Sequence, residues 1–220
     1  MKKLYVSNKD ESARMFKSSF LELFSKVHWT IPLFIFIPII SYLMYQAVTS
    51  PTIALWEVLG WFIGGIAIWT VTEYVLHRWL FHYEPPGKLG KRLHFIFHGV
   101  HHDYPNDSMR LVMPPAVSLP LAYLFYLGFR NLVPHDGFFA FFAGFLAGYL
   151  FYDMLHYAIH HAPMKGKIWM ALKAHHLKHH FKNPDAGYGV SSPLWDVIIG
   201  TQFKSSKEKK GASKQEITST

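Results

Sequence analysis

The sequence predicts an all-α integral membrane protein whose four membrane helices pair into two hairpins. Three observations carry that fold class. Of 220 residues, 50% are hydrophobic and only 16% are charged, a balance too apolar for an ordinary soluble domain. Four apolar stretches are long enough to enter a bilayer deeply. The Lys and Arg residues fall almost entirely on one side of them.

Residues 1–28 form a cytosolic N-terminal segment, polar and without the apolar core of a signal peptide. The membrane-embedded domain follows over 29–203. Its first span, Trp29 to Val48, carries no charge and matches the roughly 20 residues a crossing needs. The second, Ala54 to Leu76, holds only Glu57 and Glu73, one near each end. The third runs from Met113 to Val133 and the fourth from Gly137 to Ile159. Pro32, Pro38, Pro114, Pro115 and Pro120 start or kink these helices, which lipid-buried helices tolerate when neighbours satisfy the freed carbonyls. TSPT at 49–52 and VPHDG at 133–137 read as the tight turns of the hairpins. The Phe-rich run FFAFFAGFLAGYLF has two readings, the wall of a slot for a lipid chain and, favoured over it, helix packing with Gly144 and Gly148 as a close small-residue contact. The segment 204–220 is a polar, solvated tail.

Charge fixes the orientation. Six Lys/Arg precede the first span, five lie between the second and third, and ten follow the fourth, whereas only Arg130 sits on the opposite side. Both termini and the central loop therefore face the cytoplasm. The net charge of +8 lies beside apolar spans, the footprint of an anionic membrane surface; no nucleic-acid-binding pattern accompanies it. The chain has no Cys, so disulfides, iron–sulfur ligation and thiolate zinc sites are excluded together. Any metal must be held by imidazole nitrogen or carboxylate oxygen.

Fifteen His are present, and four groups of them share the cytoplasmic edge. They are His77 and His82 in HRWLFH, then His94, His98, His101 and His102 in HFIFHGVHH. His156 and His160, with His161 beside them, follow in HYAIHH, and His175, His176, His179 and His180 in HHLKHH. Residues three and four apart share a helix face, so each group presents a fork of imidazoles. Four forks in one layer can enclose two metals, and imidazole suits Fe, Zn, Cu and Ni alike. Glu73, one turn before His77, and Asp153, three residues before His156, are the candidates to accept the second N–H of a ligating ring. The other reading pairs them with Lys or Arg at the interface. Tyr74, Tyr152 and Tyr157 read as membrane-interface residues, and Asp103, Asp107, Asp185 and Asp196 as ligands or caps, with the loops around them favouring caps. His28 and His135 stand alone at helix ends.

The pieces HRWLFH, HGVHH followed by RLVMPP, YDMLHYAIHH, KAHHLKHHF and GYGVSSPLWDVIIGT occur in that order. Between Glu73 and Thr201 they resemble the fatty acid 2-hydroxylases (sphingolipid alpha-hydroxylases) of the fatty acid hydroxylase/sterol desaturase superfamily. The resemblance implies four membrane helices beneath a cytosolic helical cap that holds a His-rich dimetal centre. It implies as ligands His77, His82, His98, His101, His102, His156, His160, His176, His179 and His180, with no catalytic side chain beyond them. His94 lies just upstream of HGVHH as a weaker candidate, and His161 and His175 point elsewhere. The implied cofactors are two iron ions and O₂, with zinc able to occupy the same imidazoles in a purified sample. The implied reaction hydroxylates a fatty acyl or ceramide substrate at the carbon next to the carbonyl. The His-Pro-Gly-Gly haem motif of some relatives is absent, so electrons are expected from a separate electron-transfer protein. A bacterial inner membrane is the expected location, or the endoplasmic reticulum of a eukaryote. Two alternatives share parts of this evidence. A lipid desaturase, or a sterol or carotenoid oxidase, would use the same metal core. A metal transporter or sensor would instead need polar residues along the spans, which they lack.

Overall fold

The computed structural model describes residues 3–203, so the tail at 204–220 lies outside the described residues. Every regular element among them is helical. A short helix α1 (Ser19–Leu23) precedes α2 (Ile31–Val48), which starts with Pro at its second position and carries Pro38 within. Helix α3 (Leu55–Val75) begins with the Glu57 carboxylate accepting from the Ala54 N–H at 2.8 Å and runs on into a π-helical turn over Leu76–Phe81. Next come α4 (Gly87–His94), a second π-helical turn (Phe95–Gly99) and α5 (Val100–Asp103). Then follow α6 (Pro115–Arg130), α7 (His135–His161), α8 (Lys167–Phe181) and α9 (Leu194–Ile199), the last closed by Gly200 in the left-handed region at φ 81°.

Three of these helices are long and apolar enough to cross a membrane: Ile31–Val48, the continuous Leu55–Phe81, and His135–His161. The expected third span appears as α6, only 16 residues long, because Pro114 and Pro115 delay its start and Asn131 ends it. The protein is thus an integral membrane protein with three candidate spans and a shorter apolar helix beside them.

The central element is α7. Its most apolar window is 78% buried, against 22% in α2 and 17% in α3. Sequence neighbours α2 and α3 were expected to pack as a hairpin, yet both lie mainly along α7 and touch one another little. Glycine explains the preference. A methyl group on Gly65 would sit 1.9 Å from the Phe141 carbonyl oxygen, and one on Gly144 would sit 1.9 Å from that of Phe62. Backbones meet there without side chains between them, which is how membrane helices gain packing when lipid already solvates Leu. Gly148 likewise leaves room for the Trp69 side chain. Around this seam Phe36, Trp69, Phe142, Phe145 and Tyr149 fill the core, so the Phe-rich run serves packing.

Tyr74 and Tyr152 depart from the membrane-interface reading. Both are buried: Tyr74 because the segment after α8 folds over the end of α3, and Tyr152 because it packs from α7 against Trp69 of α3. Tyr74 hydroxyl meets the Thr201 hydroxyl at 2.8 Å and accepts from Arg78 at 3.0 Å. Tyr157 stays half-buried and stacks between Trp29 and His161.

The N-terminal segment is tied to the fold by hydrogen bonds. It runs across the loop that follows α5: the Val6 and Ser7 N–H groups donate to the Asp103 carbonyl, Val27 N–H to that of Met109, and Ser12 Oγ to Asp107 at 2.6 Å.

Candidate metal centre

Ten histidines converge where α3, α5, α7 and α8 end on one side of the apolar helices, and they form two groups of five. His77, His82, His98, His102 and His179 make the first, and His101, His156, His160, His176 and His180 the second. Within each group one nitrogen from every ring lies within 4.8 Å of all the others.

Local structure explains the grouping. His77 and His82 are five apart, a spacing that an α-helix turns to different sides. The π-helical turn between them, closed by His82 N–H to the His77 carbonyl at 3.1 Å, absorbs one extra residue and brings both rings to the same cage. The runs His98–His102 and His176–His180 share the pattern H-x-x-H-H, and each is split. His98 and His102, four apart, serve the first group, while His101 turns to the second. His176 and His180, four apart, serve the second, while His179 turns to the first. Adding His156 and His160 from α7 gives five and five. The two cages abut through His102 stacked on His180, with ring centroids 4.3 Å apart.

Within the cages, nitrogens point at one another. Nε2 atoms pair at 3.1 Å for His77–His98 and His98–His102, at 2.9 Å for His82–His179 and His101–His156, and at 3.0 Å for His176–His180. Meanwhile Nδ1 of His77 donates to the Tyr188 carbonyl, Nδ1 of His156 to that of Leu111 at 3.1 Å, and Nδ1 of His179 to that of Ala186 at 2.9 Å. Those bonds fix the tautomer, so Nε2 of these three rings turns a bare lone pair inward. Lone pairs facing one another at 3 Å need a proton or a cation between them.

Burial removes the proton. It lowers the pKa of His82, His98, His101, His176, His179 and His180 well below 6.5, and the neighbouring imidazoles lower them further. His102 is brought down to about 3 for the same two reasons. Both nitrogens of His160 are buried without a hydrogen-bond partner. Buried polar atoms are nearly always partnered, so the His160 ring has a nitrogen free to ligate an ion. Nitrogens bound to one ion at right angles, each at about 2.1 Å, would stand about 3.0 Å apart, as the pairs here do. The donor set therefore fits a metal in each cage, and two His clusters consistent with a dimetal centre are what the fold provides.

Glu73 and Asp153 do not bond to an imidazole. Glu73 Oε1 accepts from the Val190 and Ser191 N–H groups, both at 2.8 Å. Asp153 accepts from the Met113 N–H and the Tyr149 hydroxyl, both at 3.1 Å. Each therefore braces the backbone segment whose carbonyl holds a ring, Tyr188 for His77 and Leu111 for His156. The sequence places these acids one turn from a histidine, but a carbonyl from a distant loop reaches the ring first.

Asp196 is likewise no cap. Wholly buried, it accepts from the Tyr188 and Gly189 N–H groups at 2.9 Å, from Thr201 Oγ1 at 2.7 Å and from His175 at 3.1 Å. Burial alone would raise its carboxyl, but these bonds together hold it below its ordinary value. Asp107 is a tie between segments, bonded to Ser12 and Arg110 as well as the Met109 N–H. The Asp103 carbonyl, not its carboxylate, anchors the N-terminal segment, and Asp185 is exposed.

The remaining histidines stay outside the cages. His175 pairs with Asp196, His161 stacks on Tyr157, and the His94 ring lies over Gly99. His28 bonds to Thr30 Oγ1 at 2.8 Å, and His135 stands largely exposed beside Asp136.

Against His98, His101 and His156 lies a cavity of about 270 Å³. Phe81, Ile96, Val112, Met113, Val117 and Tyr152 form apolar walls, and Met15, Phe16, Leu21 and Phe24 of the N-terminal segment also line it. Arg110, Ser25 and Asp153 supply its other polar groups. The sequence gives no sign of the four N-terminal wall residues, because they precede the first apolar span.

Comparison with known proteins agrees with this architecture. The family model for fatty acid hydroxylase matches residues 62–201. A fatty acid 2-hydroxylase of Rattus norvegicus is 38% identical over 86% of this chain and 56% of its own length. A dihydroceramide fatty acyl 2-hydroxylase of Arabidopsis thaliana is 37% identical over 87% of this chain and 80% of its own. The ceramide very long chain fatty acid hydroxylase scs7 of Schizosaccharomyces pombe is 39% identical, over 87% of this chain and 55% of its own. The chain thus spans little more than half the length of several curated relatives. A solved structure of full-length scs7p, in which only the hydroxylase domain is visible, superposes with a TM-score of 0.79 at 36% identity. That match covers 84% of this chain and 70% of the other.

Proposed function

The chain belongs to the fatty acid hydroxylase family, and from that premise we propose that it hydroxylates a fatty acyl chain, free or within a ceramide, at the carbon next to the carbonyl. One observation supports this reading above the rest: two adjoining cages of buried imidazole nitrogens border an apolar cavity. The relatives named for 2-hydroxylation of fatty acids and ceramides point the same way.

The ten caged histidines are the proposed ligands, five to each ion. A pair of bound iron ions would supply the activation of O₂ that, with two electrons and two protons, puts one oxygen atom into a C–H bond and releases the other as water. The protein's part is positional. Carbonyls of Tyr188, Leu111 and Ala186 hold His77, His156 and His179 in the tautomer that offers Nε2. Neutral nitrogen ligands would leave the charge of bound ions uncompensated and open to O₂. Phe81, Ile96, Met113 and Val117 exclude water from the reacting carbon and hold an alkyl chain by dispersion and burial.

In this reading α6 completes a set of four membrane segments. The cages then lie on the cytoplasmic side, as the charge distribution favours, within reach of a separate electron-transfer protein. The test is lipid analysis of a host expressing the chain under ¹⁸O₂. The expected result is a 2-hydroxy acyl product carrying one ¹⁸O atom. Hydroxylation at other positions only, or none, would overturn the proposal.

A further inference from the structure

Among the described residues, helix α1 turns outward an apolar face that stays largely uncovered. Phe20 is 69% exposed and Leu23 70%, and neither lines the cavity. The one acid of the helix points the other way. The Glu22 carboxylate accepts from the Met15 and Phe16 N–H groups, both at 2.9 Å, and from Arg110 Nη2 at 2.7 Å, with Lys26 Nζ at 3.7 Å. The helix is thus sorted into a neutralised polar side against the fold and an apolar side away from it. Lys17 and Lys26 border it in sequence, and Lys17 is exposed. An apolar face fringed by lysine is the composition of a helix that lies in a lipid interface.

The surroundings of α1 fit that composition. It ends shortly before the chain enters the apolar helix α2 at Ile31. Between the two, Val27 N–H donates to the Met109 carbonyl at 2.8 Å, and Trp29 stacks on Tyr157 near the end of α7. Leu21 and Phe24 share a cavity wall with Pro114, Ala116 and Val117, where α6 begins. The exposed face of α1 therefore continues the apolar surface at the ends of α2, α6 and α7.

We propose that α1 is an interfacial anchor, with Phe20 and Leu23 seated among the acyl chains of the leaflet nearest the cages. The occupant of this face is the bilayer. Lipid relieves the water contact of the exposed Phe and Leu, and Lys17 suits anionic phosphates. Leu21 and Phe24 are half-exposed and also line the cavity, so the seated helix forms a rim where the cavity adjoins the leaflet. The anchoring does not rest on reading the chain as an acyl 2-hydroxylase; the effect of the rim on turnover does.

The chain has no Cys, so a single nitroxide label on an introduced thiol reports one site. The full chain is labelled at Phe20→Cys or Leu23→Cys in vesicles of phosphatidylcholine and phosphatidylglycerol. Glu11→Cys is the exposed reference and Ile63→Cys the reference within a span. Labels at positions 20 and 23 should collide with O₂ more than with a water-soluble nickel chelate, at a depth of about 5–10 Å. The label at position 11 should favour the chelate. Collisions dominated by the chelate at positions 20 and 23 would overturn the proposal. So would labels shielded from both reagents, the mark of a protein partner or a second copy on this face. An unlabelled variant checks the rim. Phe20→Asp combined with Leu23→Asp should keep the metal content and the detergent Tm of wild type. Its KM should rise several-fold for an acyl lipid presented in vesicles and stay unchanged for a short-chain acyl substrate dissolved in water. An unchanged KM for the vesicle lipid would overturn the rim, as would an equal rise for the soluble substrate. If wild type hydroxylates neither, the hydroxylase reading falls, and the label depths still decide the anchor.

Discussion

The smallest unit that matters here is the single imidazole, and its destination is set by position within H-x-x-H-H. His101 and His102 are adjacent, yet they belong to different cages. His101→Ala and His102→Ala should therefore each abolish turnover and lower bound metal from two ions per chain toward one. Elemental analysis reads that stoichiometry, and His28→Ala and His135→Ala should retain both ions. Retention of two ions by His101→Ala would break the assignment of that residue. Protonation offers a second check. A histidine whose folded pKa lies below its ordinary value binds fewer protons folded than unfolded, so folding opposes its charging. For His102 that stability is complete above pH 6.5 and is lost as pH falls toward about 3. Protons and metal compete for the same lone pairs, so metal retention and Tm should fall together as pH drops from 7 toward 4. That the histidines gather is legible from spacing and placement in the sequence. Their division into five and five is not, because i, i+3 and i+4 share a helix face without saying what each will meet there.

At the scale of the element, the π-helical turn over Leu76–Phe81 converts a five-residue spacing into a shared direction. Deleting Trp79, 58% exposed and outside the core, should return this stretch to α-helical winding. His77 and His82 would then stand four apart, about 40° from one another round the helix, and would still share a face. The first cage should therefore keep its ion, with two ions per chain and the protein still in the membrane. Loss of one ion per chain would show that the π-helical winding, and not the shared face alone, holds the cage. Nothing in HRWLFH distinguishes a π turn from an α one, so this element was invisible to periodicity. The apolar spans were legible, since length and hydropathy need no tertiary knowledge. Their packing was not: α2 and α3 follow one another in sequence, but Gly65 and Gly144 make α7 the closer neighbour of α3. The acids show the same limit. Glu73, Asp153 and Asp196 act on rings through backbone segments up to 118 residues away, and no local spacing encodes such a partner.

Taken whole, the molecule is asymmetric: among the described residues both cages, the cavity and nearly all the Lys and Arg lie toward one end of the apolar helices. Charge bias within short connecting loops sets topology during insertion, so that end should be cytoplasmic. The proposed hydroxylation would need the same arrangement, because reducing equivalents from a separate donor protein would have to reach the cages from the side where that protein docks. The chain has no cysteine, so a single introduced thiol reports its own side without background. Leu132 lies in the α6–α7 turn with 78% of its surface exposed, and Asn183 is exposed just beyond α8. In intact cells a membrane-impermeant maleimide should label Leu132→Cys and spare Asn183→Cys, with both labelled once the membrane is opened. The reverse pattern would place the cages outside, and a donor on the cytoplasmic face could then no longer reach them. Labelling of both in intact cells would mean that α6 and α7 fail to hold their turn on the far side. The 16 residues of α6 make this the informative result. A straight helix of that length rises only about 24 Å against a hydrocarbon thickness of about 30 Å, so α6 spans only if its flanking loops enter the interface or the bilayer thins beside it.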